Sequence, residues 1–271
     1  ATILDGDDLS PRQQGGVVRV GRRLKRPDFS RASVGYKLEQ VKFFNFTDAV
    51  DEETRQSASL QSSVISSVNL NFTRDSRDLP LFATSGSVFS YTPTFAGGPV
   101  LGNTNFHKHD FLTSFYFPLF WKFAISSKSQ LGVVTGYNGG TPPFNELYTP
   151  GGVDIFDGTM VRGYPEQSLG PRINGVPAGG RSQLLLNIEL SVPVVKQQFY
   201  ALAFADAGNA WSTGSEISLY DLRRSLGFGF RIVAPVVGIM GFDFAWGIDR
   251  ERVDNGKIQM VTHFQFGPQF Y

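Results

Sequence analysis

Apolar and polar side chains alternate with a period of two residues along most of the chain. In 181–192 the apolar positions are Leu184, Leu186, Ile188 and Leu190, and the polar positions between them are Gln183, Asn187 and Glu189. The same alternation recurs in 58–74, 85–95, 222–234 and 239–249. A period of two is that of a β-strand with one apolar and one polar face. The pattern therefore predicts an all-β protein.

Turn residues divide the chain into eleven predicted strands, preceded by a polar segment, 1–16, that we predict to be a loop or tail. The predicted strands are 16–24, 29–45, 58–74, 85–95, 107–119, 123–137, 181–193, 198–210, 221–235, 238–249 and 256–271. Many exceed the five or six residues usual in soluble sheets. A tilted strand that crosses a membrane needs about 9–11 residues.

The connections between the predicted strands alternate in length. The shorter ones are 25–28, 75–84, 120–122, 194–197 and 235–237, and the longer ones are 46–57, 96–106, 138–180, 211–220 and 250–255. Short turns at one end and long loops at the other are typical of an antiparallel transmembrane β-barrel of the outer membrane. A soluble β-sandwich is the alternative, but it does not require this regularity. In a barrel the apolar parity would face lipid and the polar parity the lumen.

An odd number of strands does not fit a complete bacterial barrel, which has an even number with both ends on the periplasmic side. The last predicted strand ends on the short-turn side, so the first begins on the long-loop side. We therefore expect residues 1–271 to be the C-terminal portion of a larger barrel, unless one strand is miscounted.

Composition restricts the chemistry that the chain can perform. There is no cysteine among 271 residues and the net charge is +1, so we expect no thiolate metal site and no nucleic-acid partner. No apolar run reaches the length of a transmembrane helix, and no signal peptide is visible at the start. His107 and His109 would share a strand face, but no third metal ligand is evident. Without a serine elbow or a phosphate-binding loop, we predict no enzyme, cofactor or metal.

The connection 138–180 is the longest in the chain and has no helical or strand period. Loops of this length in a compact domain are usually functional or disordered. Within it lies Val161-Arg162-Gly163-Tyr164-Pro165, where an arginine with a small and an aromatic neighbour indicates a placed cation. An ordinary exposed surface loop is the alternative.

Several ordered motifs resemble the BamA-like outer-membrane assembly barrels, over about residues 16–271. They are Thr73-Arg74-Asp75-Ser76-Arg77-Asp78 with Pro80 and Gly86, Val161-Arg162-Gly163-Tyr164, Asn187-Ile188-Glu189-Leu190 with Pro193, the segment from Phe204 through Asp206 and Gly208 to Trp211, and the aromatic C-terminal strand. The resemblance implies a sixteen-stranded barrel preceded by periplasmic repeat domains. Neither the repeats nor about five upstream strands are visible in this chain.

The resemblance also implies a loop-anchoring cluster of Arg162, Gly163, Tyr164, Glu189 and Asp206, with the loop 138–180 folded into the lumen. Glu189 shares the polar parity of its strand. Asp206 shares parity with bulky Leu202 and Phe204, opposite a row of alanines, so side-chain volume alone would place it toward lipid. We expect the lumen for Asp206, with the alanines outward or a local bulge.

The last strand would form the seam of such a barrel, with Phe264, Phe266, Phe270 and Tyr271 as its aromatic residues. They could face the membrane, dock by strand addition, or do both. The resemblance implies assembly and insertion of β-barrel proteins into the bacterial outer membrane, with lipids, unfolded outer-membrane proteins and accessory lipoproteins as partners. A secretion pore of the same superfamily, a passive channel or an outer-membrane hydrolase are the alternatives.

Overall fold

The structure of the protein is a computed structural model. It describes residues 10–44, 63–153, 160–173, 175–196, 198–234, 238–254 and 256–267. Phe270 and Tyr271 of the predicted seam strand lie outside these ranges.

One antiparallel sheet of eleven strands contains nearly all of the regular structure. Its strands are β1 (Ser10–Arg23), β2 (Ser30–Phe44), β3 (Ser63–Asp75), β4 (Gly86–Ala96), β5 (Phe106–Pro118), β6 (Ala124–Gly136), β11 (Ser182–Val195), β12 (Phe199–Trp211), β13 (Arg223–Ala234), β14 (Gly238–Gly247) and β15 (Met260–Gly267). Each strand pairs with the next in this order, so the sheet is a meander. The predicted number and direction of the strands are confirmed.

The long loop between β6 and β11 contains two small hairpins, each made of two-residue strands. These are β7 (Gly152–Val153) with β8 (Met160–Val161), and β9 (Arg172–Ile173) with β10 (Val176–Pro177). One helical turn, Glu251–Asp254, lies between β14 and β15. No helix in the described part of the chain is long and apolar enough to cross a membrane.

The two ends of the sheet differ in their connections, and we name them accordingly. The short-turn end has the connections 24–29, 76–85, 119–123, 196–198 and 235–237. The long-loop end has 45–62, 97–105, 137–181, 212–222 and 248–259. Because the strands alternate in direction, consecutive connections lie at opposite ends of the sheet.

The two faces of the sheet have opposite chemistry. Large apolar side chains are exposed on the outer face, where they would meet lipid, as at Val34, Phe115, Ile188, Phe228 and Phe264. The inner face is polar and buried; its members include Glu39, Lys128, Gln183, Asn187, Asp206, Arg231, Asp243, His263 and Gln265. The predicted assignment of the apolar parity to the outside is therefore confirmed.

Strand β12 reverses the usual distribution of side-chain size. Leu202, Phe204 and Asp206 are buried on the inner face, and the alanines of the opposite parity lie on the outer face. Pairing with β11 is continuous past Asp206, which lies opposite Asn187, so no bulge is needed to turn the carboxylate inward.

Two boundaries differ from the prediction at the start and end of the sheet. Residues 10–16 were expected to be loop, but they extend β1 because Gly15 and Gly16 pair with Glu39 and Leu38 of β2. A carbon at the Cβ position of Gly15 would lie 2.4 Å from the Leu38 carbonyl oxygen, so glycine permits this close pairing. The last strand begins at Met260 instead of 256. Among the described residues, no pairing joins β1 to β15.

Candidate functional site: the anchored loop in the lumen

The tip of the long loop, residues 161–164, is buried against the inner face of the sheet. Val161 and Tyr164 are fully buried and pack with Leu169 of the same loop and Leu185 of β11. The chain turns at Gly163, whose φ of 86° lies in the left-handed region that favours glycine. This turn sends Arg162 and Tyr164 toward different parts of the sheet.

Arg162 is 0 % exposed and forms a bidentate ion pair with Asp206 of β12. Its Nε donates to Oδ2 at 2.7 Å and its Nη2 to Oδ1 at 2.8 Å. The backbone N–H of Arg162 also donates to Oδ2, at 3.1 Å. Asn187 of β11 donates to Oδ1 at 2.9 Å and fixes the carboxylate from the side. Such a planar fork satisfies two buried charges at once and specifies one orientation of the loop tip.

Three further groups surround the same guanidinium. Glu189 Oε1 lies 3.6 Å from Nη2, and Asp243 Oδ2 of β14 lies 3.6 Å from Nη1. The ring of Phe204 lies beneath the guanidinium plane, with its centroid 3.3 Å from Cζ. A desolvated cation over an aromatic face gains additional electrostatic attraction. The structure thus brings together Arg162, Glu189 and Asp206, and adds Phe204 and Asp243.

Two side chains of β15 connect the last strand to the loop tip. The N–H of Gly163 donates to His263 Nε2 at 3.0 Å, so this nitrogen carries a lone pair and the imidazole is neutral. Gln265 donates to Asp243 Oδ2 at 2.7 Å, and Asp243 in turn pairs with Arg231. The sequence analysis placed neither His263 nor Gln265 in the site. The signal in the sequence was that both are polar residues alternating with Phe264 and Phe266 along the last strand.

Tyr164 bonds to the start of β13 and to the connection that follows β14. Its hydroxyl donates to the carbonyl of Arg224 at 2.7 Å and accepts from the N–H of Asp249 at 3.1 Å. Asp249 also forms a bidentate ion pair with Arg224. The hydroxyl therefore bonds to backbone groups of two elements, although the Arg224 carbonyl also accepts from the N–H of Ile248 at 2.8 Å, and a phenylalanine at this position would lose both bonds.

A second attachment of the loop, which the sequence analysis missed, lies nearer its start. Glu146 accepts from Lys108 of β5 at 3.3 Å and lies 4.0 Å from Lys37 of β2. The Tyr148 hydroxyl donates to Asp110 of β5 at 2.7 Å. The loop is therefore bound to β2 and β5 on one wall and to β11–β15 on the other, which fixes it across the lumen.

We expect Gly132→Ala to weaken this second attachment. A methyl group at Gly132 of β6 would lie 2.5 Å from the ring of Tyr148, so the ring must move and its bond to Asp110 must lengthen. Overpacking of this kind costs about 1–3 kcal/mol. Faster proteolysis of the loop 138–180 and a lower unfolding midpoint would show it. Gly16→Ala is the control, because nothing lies within 4 Å of that position; an equal effect in both variants would contradict the assignment.

The remaining predicted residues lie elsewhere. Phe264 and Phe266 are exposed on the outer face of β15, at 59 % and 46 %. His107 and His109 interact with each other at 3.1 Å, and Tyr91 with His109 at 2.9 Å, on the outer face. No group of three or more histidine or acidic side chains within the described ranges could bind a metal ion.

The sequence and the fold of this chain are similar to those of known proteins. The model of the Omp85 superfamily domain matches residues 3–270. The outer membrane protein assembly factor BamA of Nitratidesulfovibrio vulgaris is 27 % identical over 251 residues, which cover 91 % of this chain and 30 % of that protein. The chain therefore spans less than a third of that relative.

Two solved structures share the fold. The crystal structure of BamA from Haemophilus ducreyi lacking POTRA domains 1–3 superposes with a TM-score of 0.75 at 17 % identity, covering 95 % of this chain and 55 % of that one. CdiB from Acinetobacter baumannii superposes with a TM-score of 0.57 at 14 % identity, covering 94 % and 42 %. At these identities the likeness is one of fold.

Proposed function

This chain belongs to the Omp85 superfamily, and from that premise we propose that it is the barrel segment of a factor that assembles β-barrel proteins in the bacterial outer membrane. The observation that carries the proposal is the match along 91 % of the chain to a protein named as such a factor. The anchored loop and the strand order give it a physical basis. The membrane location agrees with the exposed apolar rows of the outer face.

The proposed mechanism involves no bond chemistry. Strand β15 is the last in the sheet, and among the described residues it pairs with β14 alone. An incompletely paired strand edge exposes backbone donors and acceptors that a substrate strand can use as a template. Local thinning of the bilayer near this edge would lower the barrier to inserting a new strand. The loop tip lies directly behind β15, where it would stabilise the sheet while the edge exchanges partners.

The partners follow from the same proposal. Unfolded outer-membrane proteins are the substrates, the lipids of that membrane surround the apolar face, and accessory lipoproteins complete the assembly. We propose no catalytic residue and no cofactor.

Reconstitution of the full-length protein in liposomes tests the proposal. A urea-unfolded outer-membrane barrel is added, and its folding is followed by the heat-modifiable shift of its mobility in gels. We expect folding to be several-fold faster than in empty liposomes. Folding at the rate of empty liposomes, by a protein that itself shows the folded gel mobility, would contradict the proposal.

An export pore for an unfolded partner is the second candidate, favoured by the likeness of fold to CdiB. The same liposomes distinguish the two. An export pore would transfer an unfolded polypeptide across the membrane without accelerating barrel folding. We rank this candidate second because the sequence match along 91 % of the chain is to a protein named as an assembly factor.

A further inference from the structure

The β3–β4 turn, residues 76–85, crosses the lumen at the short-turn end of the sheet. Phe82 of this turn stacks on Tyr200 of β12, with ring centroids 3.8 Å apart and an interplanar angle of 10°. Three strands, β5, β6 and β11, separate β4 from β12 in the sheet. Four inter-strand steps amount to about 19 Å along the sheet. A contact between the β3–β4 turn and β12 therefore spans the opening at the short-turn end of the sheet.

Hydrogen bonds within the turn hold the chain on both sides of Phe82. The carboxylate of Asp78 accepts hydrogen bonds from the backbone of Leu79, Thr84 and Ser85 and from the Thr84 hydroxyl. Partial burial opposes ionisation of Asp78, but the bonds from Thr84, Ser85 and Leu79 prevail and lower its pKa. The turn consequently retains this charged cap at neutral pH.

An ion pair closes the base of the turn. Arg77 forms a bidentate pair with Asp75, at 2.9 Å and 2.7 Å, and donates to the carbonyl of Pro80 at 3.1 Å. Phe82 itself has a φ of 52°, a conformation that persists in non-glycine residues only where the surroundings fix it. The neighbouring Ala83 is buried. These constraints direct the Phe82 ring toward β12.

The stack of Phe82 on Tyr200 lies at the short-turn end of a row of inward side chains on β12. This row extends to the loop tip. Tyr200, Leu202, Phe204 and Asp206 occupy successive inward positions of β12. Arg162 lies on Phe204 and pairs with Asp206. The Phe82 ring therefore covers the short-turn end of the interior that the loop occupies at its other end.

We propose that the turn 76–85 is a lid that seals the short-turn end of the lumen, with the stack of Phe82 on Tyr200 as its latch. The lid keeps water-soluble molecules out of the space between the turn and the loop tip. This function is separate from assembly of other barrels, because it depends on neither β15 nor the loop-anchoring cluster.

A thiol placed behind the lid tests the proposal. The chain has no cysteine, so Leu202→Cys in the full-length protein, cleared of any cysteine outside this chain, provides one inward reporter between Tyr200 and Phe204. Its rate of modification by a water-soluble maleimide is proportional to the fraction of open lid. Loss of a stacked aromatic pair should raise that rate by about two- to twelvefold, from the typical strength of such pairs. Phe82→Ala and Tyr200→Ala are each expected to show this rise.

Three variants decide the interpretation. Tyr200→Phe retains the ring and should keep the native rate, and the double alanine variant should equal either single variant because the two rings act as one unit. Phe29→Ala is the matched control: Phe29 is also in a short turn with a positive φ, 62°, but is 68 % exposed. An unchanged rate in folded Phe82→Ala and Tyr200→Ala, an equal rise in Phe29→Ala, or an additive double variant would overturn the proposal. If Phe82→Ala does not fold, Tyr200→Ala decides alone.

Discussion

Replacing Arg162 with alanine is expected to release the loop tip and to lower the free energy of unfolding by about 3–5 kcal/mol. The reason is that Asp206 would remain buried with only neutral hydrogen-bond donors, the Asn187 amide and a backbone N–H. The loss should appear as a lower temperature for the heat-modifiable gel shift, together with slower assembly of substrate barrels. Arg162→Lys keeps the charge but loses the bidentate fork, so a smaller loss is expected.

Two comparisons make this prediction specific. Arg181→Ala removes an exposed cation at the end of the same loop and should change the unfolding temperature little. Combining Arg162→Met with Asp206→Asn removes both charges and should recover part of the lost stability, because no uncompensated carboxylate remains. A native unfolding temperature for folded Arg162→Ala, or a double variant worse than the sum of both single changes, would contradict a clamp between these groups.

Gly163→Ala is expected to have the second large effect, because two costs coincide at this position. Its φ of 86° disfavours any side chain, and a methyl group would lie 2.6 Å from the N atom of Gly247 and 2.9 Å from the carbonyl carbon of Trp246. Both neighbours are backbone of β14 and its end, which cannot move aside as a flexible side chain would. We expect the conformational cost of about 1–2 kcal/mol plus about 1–3 kcal/mol from overpacking.

Gly175→Ala separates the two costs. Gly175 lies in the same loop with a φ of 85°, but nothing lies within 4 Å of its Cβ position. The control should therefore lose only the conformational part, and the difference between the two variants measures the close approach of the loop tip to β14. Unfolding midpoints and protease resistance of the loop provide the measurement. Equal losses would show that the approach at Gly247 contributes nothing.

The sheet was predictable because its causes are local. Alternation of side chains determines the two faces, and turn residues determine the ends, so the strands and their order followed from short segments. The exception at β1 has a physical reason, since Gly15 and Gly16 read as turn residues until their partners on β2 are known. At β12, side-chain volume would have turned Asp206 outward, and the structure places bulk on the inside because the loop tip packs there.

The site was only partly predictable because its contacts join distant residues. The sequence motif indicated Arg162, and parity placed Glu189 on the polar face of its strand. The carboxylate that pairs with the guanidinium depends on the curvature of the sheet. Arg162 forms a bidentate pair with Asp206 and longer contacts with Glu189 and Asp243. The second attachment, through Glu146 and Tyr148, had no signal beyond an acidic and an aromatic residue in a loop.

The order in which the barrel itself folds is constrained by the origin of the groups around the loop tip. Gly163 bonds to His263, 100 positions later, and Arg162 meets side chains from β11, β12 and β14. Contacts of such large sequence separation form late, since the intervening chain must be ordered first. We therefore expect Arg162 to become buried only after the C-terminal hairpins of the chain have come together.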